Sequence, residues 1–339
     1  MGGPVRAGPG GLRRQGAMKL AIETQVDVVT DETRARVAMV RPILRAVLFS
    51  LNGERVARLA GHDKIRLDDL AREYREGSGD CGICFEYAVH EAIERRDALL
   101  HPRVSEVIDH FCGIQGEARS ILFGAEKGKN LEIFATEPGL LTDESRLLTG
   151  VKGQPAKFKR YIDTARRAFS STQHRELLPR SIRGLWRADQ FVGSVSQQKW
   201  VATTLKTNPS QLAGAAGIRI GIFPEERRGQ SPAFDESRNL VLCPVPYDGG
   251  FMEVFYRSFV LVKAFLDADA RMPKPVDLPA SADRYVVSML EERRAFHVLD
   301  VIDALGKFAQ PGLLQSSSTG DPYDLAPTRA VAPVARKTE

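Results

Sequence analysis

Acidic and basic side chains suited to phosphoester chemistry stand at three widely separated points of the chain. Glu86 ends the sequence GICFE, Asp189 ends WRAD and Lys206 ends TLK. Carboxylate oxygens are the ligands that Mg²⁺ prefers in proteins, and such an ion polarises a phosphate and lowers the pKa of a bound water. An ammonium group nearby stabilises the negative charge that develops on the phosphate. If the fold joined them, these three side chains could support hydrolysis of a phosphodiester.

A pair of cysteines offers a second chemistry. The sequence GDCGICF over 79–85 resembles the signature around the nucleophile of papain-like peptidases, where a helix N-terminus lowers the thiol pKa. The resemblance implies Cys84 as the nucleophile of a cysteine hydrolase. Such a site needs a histidine base, but His174 lies in a basic segment and His297 lies between predicted helices. Ser78 also replaces the glutamine expected for the oxyanion hole, so the phosphoester interpretation is preferred.

Zinc binding is a further alternative for the same region. Cys81 and Cys84 form a C-x-x-C pair, which His90 and Cys112 could complete. The spacing to the second pair matches no common zinc site. Cys84 and His90 are six residues apart, which places them on different faces of a helix. Buried, reduced cysteines are therefore the preferred interpretation.

Hydrophobic periodicity predicts the elements that must position these side chains. Predicted helices cover 30–51, 67–75, 80–96, 158–169, 209–216, 250–266, 282–294 and 298–308. Predicted strands lie within 119–136, 184–206, 218–223 and 240–243. From residue 80 onward, the order is therefore one helix, three strands, one helix and one strand, with insertions.

This order, together with the acidic residues and the lysine, resembles the restriction-endonuclease-like core of the PD-(D/E)xK nuclease superfamily. Such cores carry an acidic residue on the first helix, an aspartate near the end of the second strand and an acidic-x-lysine motif on the third. The resemblance implies an α/β fold in which helices flank a central mixed sheet. It adds a helical N-terminal extension and an inserted basic segment to that core.

The resemblance also implies an activity, a metal-dependent hydrolysis of DNA phosphodiester bonds in restriction or phage defence. It assigns Glu86 and Asp189 as catalytic ligands of Mg²⁺ or Mn²⁺, and Lys206 as the charge-stabilising catalytic residue. Thr204, which shares a strand face with Lys206, stands where the family has an acidic residue. A hydroxyl is a poorer ligand for a hard cation, so either Glu117 or Glu126 compensates, or the chain is a catalytically inactive nucleic-acid-binding protein of the same fold.

A basic segment predicts where nucleic acid would bind. Between Val151 and Arg187, ten basic residues face only two acidic ones. Such an excess is typical of a phosphate-contacting surface, with a solvated face as the alternative. The candidate nucleic-acid-binding residues are Lys157, Lys159, Arg160, Arg166, Arg167 and Arg187. The sequence GAAG over 214–217 could also present backbone amides to a phosphate, but it matches no phosphate-binding fingerprint, so a turn is predicted there.

Composition restricts the class of protein. The 339 residues are 43% hydrophobic and 27% charged, so the chain can bury a substantial core in one or two domains. No apolar run reaches the ~18 residues of a membrane-spanning helix, so no membrane partner is expected. Four cysteines and no secretory signal predict reduced thiols and a cytoplasmic location.

The same sequence features divide the chain. We expect a disordered leader over 1–17, a helical region over 18–79, a nuclease-like α/β domain over 80–310 with an insertion at about 137–183, and a disordered tail over 316–339. The expected partner is nucleic acid, with DNA favoured over RNA. A homodimer is allowed, because many nucleases of this fold cut both strands as dimers.

Overall fold

The computed structural model describes residues 21–75, 77, 80–124, 139–150, 155–247, 250–269, 278, 280–308 and 328–336. Over 21–29 and 328–336 it describes the backbone, which forms the antiparallel strands β1 (Ala21–Val29) and β10 (Thr328–Arg336) of a separate unit. β1 lies in the region predicted to be helical, and β10 lies in the tail predicted to be disordered. The predicted leader over 1–17 lies outside the described residues.

The second unit spans residues 30–325 and contains the helices. These are α1 (Asp31–Ser50), α2 (Gly53–Arg58), α3 (Leu67–Glu73), α4 (Asp80–Glu94), α5 (Leu100–Cys112), α6 (Phe158–Ala168), α7 (Thr172–Glu176), α8 (Phe251–Asp269), α9 (Ser281–Glu291) and α10 (Val298–Gly306). The helix predicted over 209–216 is wrong, because only a 3₁₀ turn forms there, at Pro209–Gln211. None of the described helices has both the length and the apolar character that crossing a membrane requires.

The described strands of this unit form one mixed sheet. They are β2 (Arg119–Ile121), β3 (Arg146–Leu147), β4 (Ala156–Lys157), β5 (Gln190–Ser194), β6 (Lys199–Leu205), β7 (Arg219–Pro224), β8 (Ala233–Asp235) and β9 (Leu240–Val245). The strand order is β2-β5-β6-β7-β9-β8, and β3 pairs with β4 and with the start of β6. The chain is therefore an α/β protein with a mixed sheet flanked by helices, as predicted.

Strand directions define the centre of the sheet. β6, β7 and β9 run parallel to one another, whereas β5 is antiparallel to β2 and to β6. The extended run predicted from residue 184 begins later, because a 3₁₀ turn covers Leu185–Arg187 before β5. The second strand of the hairpin predicted within 119–136 lies outside the described residues.

Helix α1 lies at the centre of the layer that covers one face of the sheet. α4, α8, α9 and α10 pack around it, while α4 packs on β2 and β6, and α5 packs on β9. α1 also buries Arg36 and Arg41. Because burying an unpaired charge is costly, both have acidic partners: Arg36 contacts Asp283, and Arg41 contacts Glu91.

A smaller layer covers the opposite face of β5 and β6. The Phe158 ring of α6 lies 4.5 Å from the ring of Phe191 on β5 and 6.3 Å from the Trp200 ring on β6. All three side chains are fully buried. The predicted insertion at about 137–183 therefore contributes both core packing and, through β3 and β4, additional strands of the sheet.

Asp97 makes the stability of the fold depend on pH. Its Oδ1 accepts hydrogen bonds from the amides of Leu99 (3.0 Å) and Leu100 (2.7 Å) at the start of α5. Burial raises the pKa of Asp97 to about 7. The native state therefore keeps a proton that the unfolded chain releases near pH 4, and stability falls as pH rises from about 4 to 7.

We expect Asp97→Asn, which keeps the acceptor oxygen, to remove this dependence. The stability of the variant relative to the wild type should rise by about 3 kcal/mol between pH 4.5 and 7.5, because most of a shift of about three pKa units takes effect in this range. Urea unfolding at the two pH values measures the gain. The control is Asp109→Asn, which changes an exposed aspartate of α5. If the difference in unfolding free energy between Asp97→Asn and the wild type is the same at both pH values, Asp97 does not cause the pH dependence.

Candidate functional site

Asp189 and Lys206 meet at one end of the central strands. Asp189 directly precedes β5, and its amide donates to the Thr203 carbonyl at 2.9 Å; Lys206 directly follows β6, and its amide donates to the Ile222 carbonyl at 3.1 Å. Because β5 and β6 are antiparallel, the start of one strand lies beside the end of the other. The sheet therefore brings the predicted aspartate and lysine together.

One oxygen of Asp189 receives three hydrogen bonds. Its Oδ2 accepts from the Thr204 hydroxyl at 3.0 Å, from the Leu205 amide at 2.9 Å and from Lys206 Nζ at 3.1 Å. The Asp189 side chain is 8% exposed, whereas that of Lys206 is 30% exposed. The aspartate is thus held rigidly inside, and the lysine extends from it to the surface.

Glu86 reaches the same place from α4. Its Oε2 lies against Gly124, so closely that a Cβ at residue 124 would overlap it, and that Cβ would also lie 3.2 Å from the Asp189 carbonyl oxygen. The Gly124 amide donates to this same carbonyl. Gly124 therefore joins Glu86 to Asp189, and all three predicted catalytic residues lie at one end of the sheet.

Glu86 and Asp189 are the two carboxylates here that could hold a magnesium-type ion. Mg²⁺ keeps several waters and binds proteins through one or two carboxylates together with substrate phosphates. Glu86 and Asp189 supply two carboxylates at this end of the sheet, and Glu86 Oε2 occupies the space that a side chain at Gly124 would fill. No cluster of three or more histidine, cysteine or carboxylate side chains suited to a metal occurs in the described part of the chain. A metal here would therefore depend on these two residues and on substrate.

Glu117, one of the two glutamates predicted to compensate for Thr204, does not lie at the site. β2 pairs Arg119 with Gly193 and Ile121 with Phe191. Glu117, which precedes β2, therefore lies toward the end of β5 opposite to Asp189. Its carboxylate instead accepts from Arg96 Nη2 at 2.8 Å. Glu126 lies outside the described residues.

Two residues at the site were not predicted from the sequence. Gly124 follows a short strand, and its only sequence signal is a glycine at a strand end. Arg219 starts β7 on the sheet face that carries Thr204, and it is 3% exposed. Its signal was an arginine at the start of the apolar run Ile218–Phe223.

The predicted basic surface forms on and around α6. This helix buries Phe158, Ile162, Ala165 and Ala168 and exposes its basic residues. Lys159 and Arg166 pair with Asp143 and Asp163, both at 3.1 Å. The exposed basic residues of this surface, which is called the α6 basic face below, are Lys157, Lys159, Arg160, Arg166 and Arg167.

Among the residues that the structure describes, the surroundings of the cysteines do not fit a nucleophilic or a zinc site. Cys84 is 1% exposed, and burial raises its thiol pKa well above the usual value, the opposite of what a nucleophile needs. The proposed zinc ligand His90 instead places its Nδ1 3.0 Å from the hydroxyl of Ser120. Cys81, Cys84 and Cys112 are free thiols, but only Cys84 is buried as predicted, whereas Cys81 and Cys112 are half-buried. These findings argue against the cysteine hydrolase.

Fold and site together define a mixed-sheet α/β protein with an acidic and lysine cluster at one sheet end. Comparisons of the chain with protein-family models, with curated proteins and with solved structures find no match. What this protein does has to be inferred from the chemistry of the cluster and its surroundings.

Proposed function

We propose that this protein is a metal-dependent nuclease that hydrolyses DNA phosphodiester bonds. The observation that carries the proposal is the convergence of Glu86, Asp189 and Lys206 at one end of the sheet. These residues come from a helix and two strands that are up to 120 residues apart in the sequence. They are the residue types that phosphodiester hydrolysis uses.

Each member of the cluster has a role that its surroundings support. Mg²⁺ or Mn²⁺, when bound by Glu86 and Asp189, would polarise the scissile phosphate and lower the pKa of a water. The hydrogen bonds from Thr204 and Leu205 keep the Asp189 carboxylate oriented. Lys206, the more exposed member, can leave its ion pair to contact a phosphate oxygen and stabilise the developing charge.

The neighbouring α6 basic face supports nucleic acid as the substrate. Arg160 and Arg167 are exposed, and neither has a carboxylate partner within 4.0 Å among the residues that the structure describes. Unpaired surface arginines are free to neutralise backbone phosphates, and the release of condensed counterions then drives binding. Arg187, which lies two residues before Asp189 in the sequence, is also exposed.

We expect the double variant Arg160→Glu/Arg167→Glu to bind duplex DNA at least about tenfold more weakly at 0.1 M salt. The slope of log K against log salt should fall by about two, because two phosphate contacts are lost. Fluorescence anisotropy over a salt series measures both quantities. The control variant Arg228→Glu reverses an exposed arginine in the loop after β7 and should bind like the wild type.

The proposed activity is tested with supercoiled plasmid in Mg²⁺, in Mn²⁺ and in EDTA. Nicking that requires the metal supports the nuclease, and double-strand cuts would indicate the homodimer that the resemblance allows. No cleavage under any condition would refute the activity.

A second candidate function follows from the bonds around Thr204. The Thr204 hydroxyl donates to the same Asp189 oxygen that Lys206 contacts. It therefore stands where the family has a third carboxylate, but it provides no negative charge for a metal. This arrangement favours a catalytically inactive protein that binds nucleic acid through the same surface. Salt-sensitive DNA binding with no cleavage would support this function over the nuclease.

A further inference from the structure

A polar cavity of about 260 Å³ lies beside Asp189, on the face of the sheet that carries Thr204. Three arginines line it, Arg183, Arg187 and Arg219, together with Gly184, Trp186 and residues 214–216. No acidic residue contributes to the lining. Its volume is below the roughly 300–1,000 Å³ of pockets for drug-sized ligands, so it suits a small anionic group.

Arg219 forms the buried end of this cavity. The residue is 3% exposed, and its Nη2 donates to the Gly184 carbonyl at 2.9 Å. Its Nε is buried and has no hydrogen-bond partner in the described structure. Burial lowers the pKa of Arg219 and the positive charge of Arg187 lowers it further, although Asp189 opposes both effects. A buried cation with an unpaired donor is costly, and an anion in the cavity would remove that cost.

The other two arginines stand at the open side of the cavity. Arg183 and Arg187 are exposed, and none of the three arginines has a carboxylate within 4.0 Å in the described parts of the chain. The Arg187 guanidinium lies 4.9 Å from the centroid of the Trp186 ring, and that of Arg175 lies 4.2 Å from it. This stacking restrains Arg187 beside the cavity.

The segment predicted as a turn completes the lining. Within the described structure, the amides of Gly214, Ala215 and Ala216 donate to no protein acceptor. Unused amides next to arginines are the donors that phosphate oxygens bind. The backbone chemistry suggested by GAAG over 214–217 therefore gains a place in the fold beside Arg219.

We propose that this cavity binds the phosphate of a phosphomonoester. A monoester phosphate has three oxygen acceptors and close to two negative charges at pH 7, which match three converging arginines. Its single ester bond lets it enter a closed-ended cavity, whereas a backbone diester carries a chain on both sides. The source is either the phosphorylated end of a nucleic-acid strand, an assignment that rests on the proposed function, or a free mononucleotide.

Titration of the full-length protein tests the proposal. Inorganic phosphate, AMP and adenosine are compared by calorimetry, followed by oligonucleotides with 5′-phosphate, 3′-phosphate or hydroxyl ends. We expect phosphate and AMP to bind and adenosine not to bind. Arg183→Ala and Arg187→Ala, both at exposed positions, should each weaken phosphate and AMP binding about tenfold. Arg180→Ala, which removes an exposed arginine outside the lining, should have no effect.

The oligonucleotides identify the source. If a phosphorylated oligonucleotide binds more tightly than both AMP and the same oligonucleotide with hydroxyl ends, the ligand is the end of a strand. If AMP binds more tightly than the phosphorylated oligonucleotide, the ligand is a free nucleotide. Failure of phosphate and AMP to bind overturns the proposal, as does unchanged binding in the Arg183 and Arg187 variants. Closed circular plasmid has no phosphomonoester end, so its cleavage reports on the proposed nuclease and not on this cavity.

Discussion

Lys206→Ala and Asp189→Asn should each slow metal-dependent nicking of plasmid by about 100- to 1,000-fold, the effect of removing one preorganised charge-stabilising group. Lys206 is the half-buried cation of the cluster, and Asp189 holds it through a 3.1 Å ion pair. Asp189→Asn keeps the shape of the side chain but removes the charge that a divalent cation needs. Initial rates of nicking at saturating Mg²⁺ measure both effects.

A matched control separates this role from general damage to the strand. Lys199 lies at the opposite end of β6 from Lys206, so Lys199→Ala should nick at the wild-type rate. Glu86→Gln should act like Asp189→Asn and also raise the Mg²⁺ concentration needed for half-maximal rate. If Lys206→Ala retains the rate while circular dichroism shows an intact fold, the catalytic assignment is wrong.

Glu91→Leu should lower the free energy of unfolding by about 3–5 kcal/mol, because it leaves a buried cation without its partner. Arg41 of α1 is 6% exposed, and its Nη1 lies 2.5 Å from Glu91 Oε1. Burial lowers the pKa of Arg41 and Glu91 raises it, so the carboxylate offsets part of the cost of burying the guanidinium. Arg45 would also lie close to the uncompensated charge.

Replacing both partners should recover most of the loss. Arg41→Met/Glu91→Leu removes the buried guanidinium together with its carboxylate, and apolar replacements of similar volume are often neutral or stabilising. Arg45 and Arg95, which also contact Glu91, are only half-buried. Glu144→Leu, which removes the exposed partner of Arg146, should change stability by less than about 1 kcal/mol. Urea unfolding of five proteins, the wild type, Arg41→Met, Glu91→Leu, the double variant and Glu144→Leu, measures these free energies. Additive effects of the Arg41 and Glu91 changes would contradict the pairing.

Much of the candidate site could be predicted because its residues carry their own chemical signals. Glu86, Asp189 and Lys206 stand in segments whose periodicity predicts a helix and two strands, and the structure brings the three together. Gly124 could not be predicted, because what matters there is the absence of a side chain beside Glu86. Arg219 was missed because a single arginine in an apolar strand does not show which neighbours will bury it.

The sequence by itself determined most helices, the strands around the site and the general α/β class. Helix α1 was predicted over 30–51 and is found at Asp31–Ser50. Periodicity identifies such elements because it reports which side chains share a face, and this is a local property. Only the tertiary structure decided that α1 is buried on all sides, with Glu91 and Asp283 as partners of its arginines. It also decided the strand order and the cavity beside Arg219. These features depend on contacts between residues far apart in the sequence, and no local pattern records such contacts.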